Sequence, residues 1–270
     1  MNTVTSNKVT SKDGTPIAYY RTGEGPAVIL ISGALGTGTD PMFAELAGLL
    51  ASRFTVYNYD RRGRGDSGDT PPYAVEREIE DIEALIDEAG GPAYLYGLSS
   101  GAIFALEAAN KLPNKVAKLA LYEPPFIVDD SFPPIPEDYV QQLDTMIAEG
   151  RRGDAVALFM KVVGVPEEYI GPMRADPSWA EMEKVAHTLR NDGIILGDYS
   201  SGKPLRPNLF PSVTMPTLAI TGGASEQFFG DGANALVDQL PNAKRYTLEG
   251  QGHGVESSAL APVLAEFFAA

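Results

Sequence analysis

The stretch Ala93 to Gly101, AYLYGLSSG, joins a short apolar strand to the pentapeptide GLSSG, which fits the pattern Gly-x-Ser-x-Gly with Ser99 at its centre. Tyr94, Leu95 and Tyr96 are strand formers, and AIFALEAANKL follows the pentapeptide with apolar residues at helical spacing. A strand turning this sharply into a helix forces its central residue into a strained backbone conformation. Small neighbours at Gly97 and Gly101 let strand and helix approach closely enough to permit it. Ser99 is thereby lifted clear of the sheet and becomes a candidate nucleophile.

Working outward, strands alternate with helices. Ala27 to Ser32, Phe54 to Tyr59, Ala93 to Leu98 and Val116 to Tyr122 read as strands. Pro41 to Ser52, Ala74 to Ala89 and the segment after Ser99 read as helices. The rhythm predicts a mostly parallel eight-stranded sheet with helices on both faces, an α/β class. Only the opening differs: Thr3 to Thr10 and Pro16 to Arg21, joined through Asp13-Gly14, suggest an antiparallel hairpin at the sheet edge. After Glu123 the alternation stops, and helical patterns with proline breaks run to Pro211. It resumes with strand Thr217 to Thr221, a helix near Asp231 to Gln239, strand Ala243 to Leu248 and a helix near Ser257 to Phe268. The expected organisation is a core of residues 1–124 and 208–270, with a helical lid, 125–207, inserted between strands six and seven.

Composition narrows the function classes. The chain has 270 residues, 44% of them hydrophobic, which suffices for one large core. No stretch reaches the roughly 18 to 20 uninterrupted apolar residues of a membrane helix. MNTVTSNKVTSKDG lacks the basic and apolar regions of a signal peptide, so a cytoplasmic location is expected. With no cysteine, disulfides, thiol nucleophiles and thiolate metal sites are excluded. Thirty-six acidic against 21 basic residues give a net charge of -15, which repels nucleic acid and anionic membrane surfaces. The expected partner is a neutral or cationic small molecule. GTGTD near residue 38 lacks the Gly-Lys-Ser/Thr ending of a phosphate loop, so no nucleotide cofactor is implied.

A serine hydroxyl must lose its proton as it attacks, and imidazole is the usual acceptor. The chain has two histidines. His253 follows a predicted strand in a glycine-flanked loop, where its ring can project over the edge that carries Ser99. His187 lies in EMEKVAHTLR, a helical segment, and reads as a packing or surface histidine. His253 is therefore the candidate general base.

Four motifs, in order, carry a resemblance: SGALG (Ser32 to Gly36), YDRRGRGDSG (Tyr59 to Gly68), GLSSG and GQGHGVE (Gly250 to Glu256). Together they make the chain resemble an α/β-hydrolase of the lid-bearing esterase, lactonase and carbon-carbon hydrolase type. The resemblance implies a triad carboxylate, usually within a few residues of the seventh strand. That loop reads TGGASEQFFGD and offers Glu226 or, further on, Asp231, without the familiar aspartate. A second family location is the end of the sixth strand, where LALYEPPF offers Glu123, its direction fixed by two prolines. Resorcylic lactone hydrolases are similar in this respect. Glu123 is the preferred acid and Glu226 the alternative. The resemblance further implies an oxyanion hole built from the backbone amides of Ala34 and Ser100, with Ser32 where relatives generally carry histidine. It also implies that Asp60, Arg62 and Ser67 brace these loops and do not catalyse.

Phe126, for the apolar surface it adds to the lid, and Leu35 and Phe228, in loops predicted beside the catalytic edge, are substrate-binding candidates, and Trp179 lies where the resemblance places a substrate-facing residue in some lactone-hydrolysing relatives. The expected activity is cofactor-independent, metal-free hydrolysis of a carboxylic ester or lactone of a medium-sized hydrophobic molecule; a homodimer is compatible with it. A serine nucleophile argues against epoxide hydrolysis and dehalogenation, which generally use aspartate in this fold. Carbon-carbon hydrolysis, a lyase or cyclase reaction on a natural product, and a receptor-like binder with a vestigial triad stay open, since one fold hosts several chemistries.

Overall fold

The computed structural model describes residues 6–270. It contains an eight-stranded sheet in the order β1-β2-β4-β3-β5-β6-β7-β8. Strands β1 (Asn7–Thr10) and β2 (Pro16–Thr22) form the antiparallel edge, and β2 also pairs antiparallel with β4 (Thr55–Tyr59). Strands β3 (Ala27–Ile31), β4, β5 (Ala93–Leu98), β6 (Val116–Tyr122), β7 (Thr217–Gly222) and β8 (Ala243–Leu248) are parallel. The sequence-predicted first strand began at Thr3; residues 3–5 lie outside the described residues. The hairpin turn is held where Gly14 adopts φ 88° and Asp13 Oδ1 accepts the Thr15 amide at 3.0 Å.

Both faces of the sheet are covered, which explains why AVILI of β3 is apolar at every position. Alternation sorts the side chains. Ile29, Ile31, Leu95, Leu119 and Leu121 share one cluster with α2 (Val75–Glu88) and α3 (Ser100–Lys111). Val28, Leu30, Tyr96, Ala120 and Tyr122 share the other with α1 (Pro41–Leu50) and α10 (Ser257–Ala269). Helix α1 starts at a sequence-encoded cap, where Asp40 Oδ1 accepts the Met42 amide at 3.0 Å ahead of Pro41.

Between β6 and β7 the chain forms helices α4 (Tyr139–Ala148), α5 (Arg152–Val162), α6 (Glu167–Arg174), α7 (Ser178–Val185) and α8 (Leu189–Leu196) with two 3-10 turns, Ala186–Thr188 and Gly197–Ser200. These pack around Leu143, Val156, Trp179 and Leu189 and reach Ala34 and Leu35 of the core. Helix α9 (Gln227–Val237) begins four positions before the expected Asp231. Phe228 and Phe229 anchor its first turn against Ile127 and Phe132, and that packing overrides the helix-breaking tendency of Gly230. No helix among the described residues is long and apolar enough to cross a membrane.

The chain goes from β3 out to β4 and returns to β5 on the other side of β3, so the topology reverses between β3 and β5. Such switch points open a crevice beyond the carboxyl ends of the strands. The parallel registers bring Ser32, Ser99, Glu123, the 223–226 loop and His253 to that one edge.

Candidate active site

Ser99 sits at φ 56°, ψ -127°, at the N-terminus of α3. For a residue with a side chain this region is strained, and such strain persists where the surroundings impose it. The surroundings are backbone. A Cβ on Gly97 would lie 2.4 Å from the Gly101 carbonyl oxygen, and one on Gly101 would lie 2.3 Å from the Ile31 carbonyl oxygen. The Ser99 amide donates to the Tyr122 carbonyl at 2.9 Å, fixing the turn to β6. Gly33 passes so close that a Cβ there would stand 3.1 Å from the Ser99 Cβ.

Glu123 follows β6 at φ 47° and is fully buried. Its Oε1 accepts the Gly222 amide at 2.7 Å. Its Oε2 lies 2.7 Å from His253 Nδ1. With a carboxylate there, the imidazole carries its proton on Nδ1 and leaves Nε2 as an acceptor. The ring of His253 stacks on Phe229, centroids 4.8 Å apart and planes 11° apart. Tyr122 Oη donates to the Gly252 carbonyl at 2.7 Å and so braces the residue next to His253. The histidine is thus held from three sides, while 44% of its side chain stays exposed. Among the described residues Ser99 Oγ has no hydrogen-bond partner; in ligand-free sites the bond between nucleophile and base is commonly long and tightens when substrate binds.

Glu226 lines the same cavity at the N-cap of α9 and makes neither a hydrogen bond nor an ion pair with His253 among the described residues. Of the two carboxylates the sequence offered, the geometry pairs Glu123 with the histidine.

Ser99, His253, Ala34 and Ser100 open onto one cavity of about 710 Å³. No hydrogen bond occupies the amides of Ala34 or Ser100 among the described residues, so both are free to donate. Leu35 and Phe228, two of the sequence's substrate-binding candidates, line the cavity beside Met160, Val162 and Phe229. Two candidates do not. Phe126 is fully buried beneath it, edge-on to Tyr199 at 5.6 Å, because side chains alternate along the irregular segment after Pro124 and it is Pro125 and Ile127 that face the cavity. Trp179 turns into the packing between α5 and α7, donates its indole N–H to Glu183 at 3.1 Å and lies under Arg174; Met182, on the same helix, reaches the cavity instead.

A model of the alpha/beta hydrolase family matches residues 28–266. The chain belongs to that family. An alpha/beta hydrolase from Sphaerobacter thermophilus is 52% identical, with a TM-score of 0.89, covering 97% of this chain and 100% of that one. The human serine hydrolase BPHL is 35% identical over 155 residues, 55% of this chain and 49% of BPHL. YraK, an uncharacterized hydrolase of Bacillus subtilis, is 35% identical over 115 residues, 41% of this chain and 42% of YraK. The chain spans about half the length of these curated relatives or less.

In this alpha/beta hydrolase the arginine-rich loop is interior. Asp60 accepts the amides of Gly38 and Asp66 at 2.7 and 2.9 Å, and Ser67 Oγ donates to the Asp60 carbonyl at 2.6 Å. Arg62 forms a two-pronged pair with Asp81 at 2.8 and 2.7 Å. Arg61 does the same with Glu78 at 2.7 and 2.9 Å. One partner escaped the sequence reading: Asp192, on the buried face of α8. Its Oδ1 accepts from Arg61 Nη1 and from Ser100 Oγ, each at 2.7 Å, and its Oδ2 accepts from Arg64 Nη2 at 2.6 Å. Burial alone would raise its pKa, but the two guanidiniums outweigh burial and hold it below the usual carboxylate range. A signal existed, since three arginines in one loop that folds inward need carboxylates from elsewhere. His187 is half-buried in a 3-10 turn, where burial and then Arg152 push its pKa down, and it does not face the cavity. No group of three or more acidic or histidine side chains positioned for a metal occurs among the described residues.

Proposed function

We propose that this alpha/beta hydrolase is a serine hydrolase that cleaves a carboxylic ester or lactone of a medium-sized hydrophobic molecule through an acyl-enzyme. The observation that carries the reading is the contact of buried Glu123 with His253 at 2.7 Å, at the same cavity as Ser99. Ser99 Oγ attacks the carbonyl carbon while His253 Nε2 takes its proton. Glu123 accepts the hydrogen bond from Nδ1–H throughout, orienting the ring and stabilising the imidazolium. The charge on the former carbonyl oxygen is met by the amides of Ala34 and Ser100. Collapse breaks the ester carbon–oxygen bond, and His253 returns the proton to the departing alkoxide. Water activated by the same histidine then cleaves the acyl-enzyme and regenerates Ser99.

The lining supports an uncharged substrate. Leu35, Met42, Phe132, Phe159 and Phe228 supply apolar surface, and the charged groups beside His253 are the carboxylates Asp40, Asp192 and Glu226; no Lys or Arg lines the cavity among the described residues. A substrate carboxylate would enter without a counter-ion, which is costly away from water. The helical segment 125–207 acts in this reading as the lid that roofs the cavity. The test is a panel of aryl esters, aliphatic esters, lactones and carbon-carbon substrates of the 1,5-diketone type given to the wild type and to Ser99→Ala. Turnover of neutral members, reduced at least about 1,000-fold in the variant, is expected. Undiminished turnover in Ser99→Ala, or turnover confined to carbon-carbon substrates, contradicts the proposal.

A further inference from the structure

Asp192 ties a helix of the segment between β6 and β7 to both candidate oxyanion donors, and the chemistry of those ties is specific. Ser100 carries the first donor amide, and its hydroxyl is held by Asp192 Oδ1 at 2.7 Å. The second donor, the Ala34 amide, shares a peptide plane with the Gly33 carbonyl. In a trans peptide the C=O and N–H point in opposite directions, so whatever holds one end aims the other. Arg64 Nη1 donates to that Gly33 oxygen at 2.6 Å and to the Gly36 oxygen at 3.2 Å. The other terminal nitrogen of the same planar guanidinium, Nη2, is held by Asp192 Oδ2 at 2.6 Å, and its Nε donates to Thr188 Oγ1 at 2.9 Å. Arg61 adds a weaker tie to the carbonyls of Ser32 and Gly33 at 3.3 and 3.5 Å while bonded to Asp192 Oδ1.

We propose that Asp192 is a positioning residue for the oxyanion hole: through Arg64 it aims the Ala34 amide, through the Ser100 hydroxyl it fixes the Ser100 amide, and docking of α8 thereby completes the hole. The inference rests on the ester or lactone hydrolase reading. The charge balance supports the dependence on docking. Arg61, Arg64, Glu78 and Asp192 are all buried, two of each sign, and Arg64 has no other carboxylate within bonding distance among the described residues. If α8 withdraws, a buried guanidinium loses its counter-ion and the Gly33 peptide loses its clamp together. An enzyme built this way develops full oxyanion stabilisation only when the roof of its cavity is seated.

The experiment compares the wild type with Asp192→Asn and Ser100→Ala in aryl-ester kinetics and in inhibition by two matched ketones. A trifluoromethyl ketone captures Ser99 as a tetrahedral oxyanion adduct; its methyl ketone counterpart binds as an unreacted carbonyl. Asparagine keeps one accepting oxygen but turns an N–H₂ toward a guanidinium, so one oxyanion donor loses its aim. The expected result is a kcat roughly 100-fold lower in Asp192→Asn with KM within about threefold, in line with the loss of one donor. The trifluoromethyl ketone Ki should rise in parallel, while the methyl ketone Ki stays unchanged. Ser100→Ala, which keeps its amide, should show the same pattern at roughly fivefold, and it decides the matter should Asp192→Asn fail to fold. Equal weakening of both ketones, a change in KM alone, or wild-type kcat in a folded variant overturns the assignment. A wild type that neither turns over esters nor binds the trifluoromethyl ketone defeats the hydrolase reading itself, and this inference with it.

Discussion

Replacing Glu123 by glutamine isolates the part of the site on which the two candidate carboxylates disagree. The side chain is fully buried and both oxygens are in use, Oε1 on the Gly222 amide and Oε2 on His253 Nδ1, each at 2.7 Å. Glutamine has the same shape but one acceptor. The Gly222 amide is part of β7 and cannot turn away, so the glutamine carbonyl stays with it and the N–H₂ faces Nδ1. The imidazole must then accept at Nδ1 and carry its proton on Nε2, where it cannot take the proton of Ser99. The imidazolium that forms during attack also loses its counter-charge. A triad acid exchanged for its amide typically lowers kcat by about 10⁴, which at about 1.4 kcal/mol per decade is roughly 5 kcal/mol. The fold should be little affected, since shape and one hydrogen bond survive. Initial rates on a saturating aryl ester, with far-UV circular dichroism to check folding, give the answer. Glu226→Gln in the same assay should stay within about threefold of the wild type. A Glu123→Gln variant within tenfold of the wild type, or a thousandfold loss in Glu226→Gln, refutes the reasoning.

Three further outcomes follow from the surrounding scaffold. Gly101→Ala pushes a Cβ to 2.3 Å from the Ile31 oxygen and 2.6 Å from the Ser32 oxygen; it should cost about 2–3 kcal/mol, a Tm roughly 5–10 °C lower, whereas Gly48→Ala in α1, with nothing within 4 Å of the new Cβ, should hold or gain stability by about 0.5–1 kcal/mol. An unchanged Tm for Gly101→Ala speaks against the tight strand–helix contact. Tyr122→Phe removes the bond to the Gly252 carbonyl; about 1 kcal/mol of lost orientation predicts kcat lower by roughly fivefold with KM steady, and an unchanged kcat would mean that the histidine loop holds itself. Asp13 has its pKa lowered to about 2: burial opposes this, but hydrogen bonds from Thr15 and Arg62 prevail. The unfolded chain therefore binds the proton more tightly, so Asp13 contributes stability above about pH 4 that is lost as pH falls toward 2. Urea unfolding of Asp13→Asn should show a deficit of about 1–2 kcal/mol at pH 7 that closes near pH 2, and a deficit independent of pH contradicts the assignment.

Much of the fold was legible because the sheet is buried on both faces. Strands β5, β6 and β8 lie where period and turn residues put them, and the helical run between β6 and β7 shows as a lapse in the alternation. Ser99 was legible because its strain needs Gly97 and Gly101 at fixed offsets. Partnerships made in three dimensions were not. The Asp192–Ser100 bond joins residues 92 positions apart, and the stacking of Phe229 on His253 depends on α9 starting early, which only its packing against Ile127 and Phe132 decides. Phe126 and Trp179 show the converse. Large apolar residues near a site announce burial, but a turn of the chain decides which way they face, and both face core.

The account depends most on Ser99 being the residue that attacks. A fluorophosphonate probe, followed by mass-spectrometric mapping of the modified peptide, reads this directly, because phosphonylation needs a serine activated by its histidine. Stoichiometric modification at Ser99 is predicted, abolished in Ser99→Ala and strongly slowed in Glu123→Gln. Modification at another serine, or none in a folded wild type that turns over aryl esters, would contradict the account.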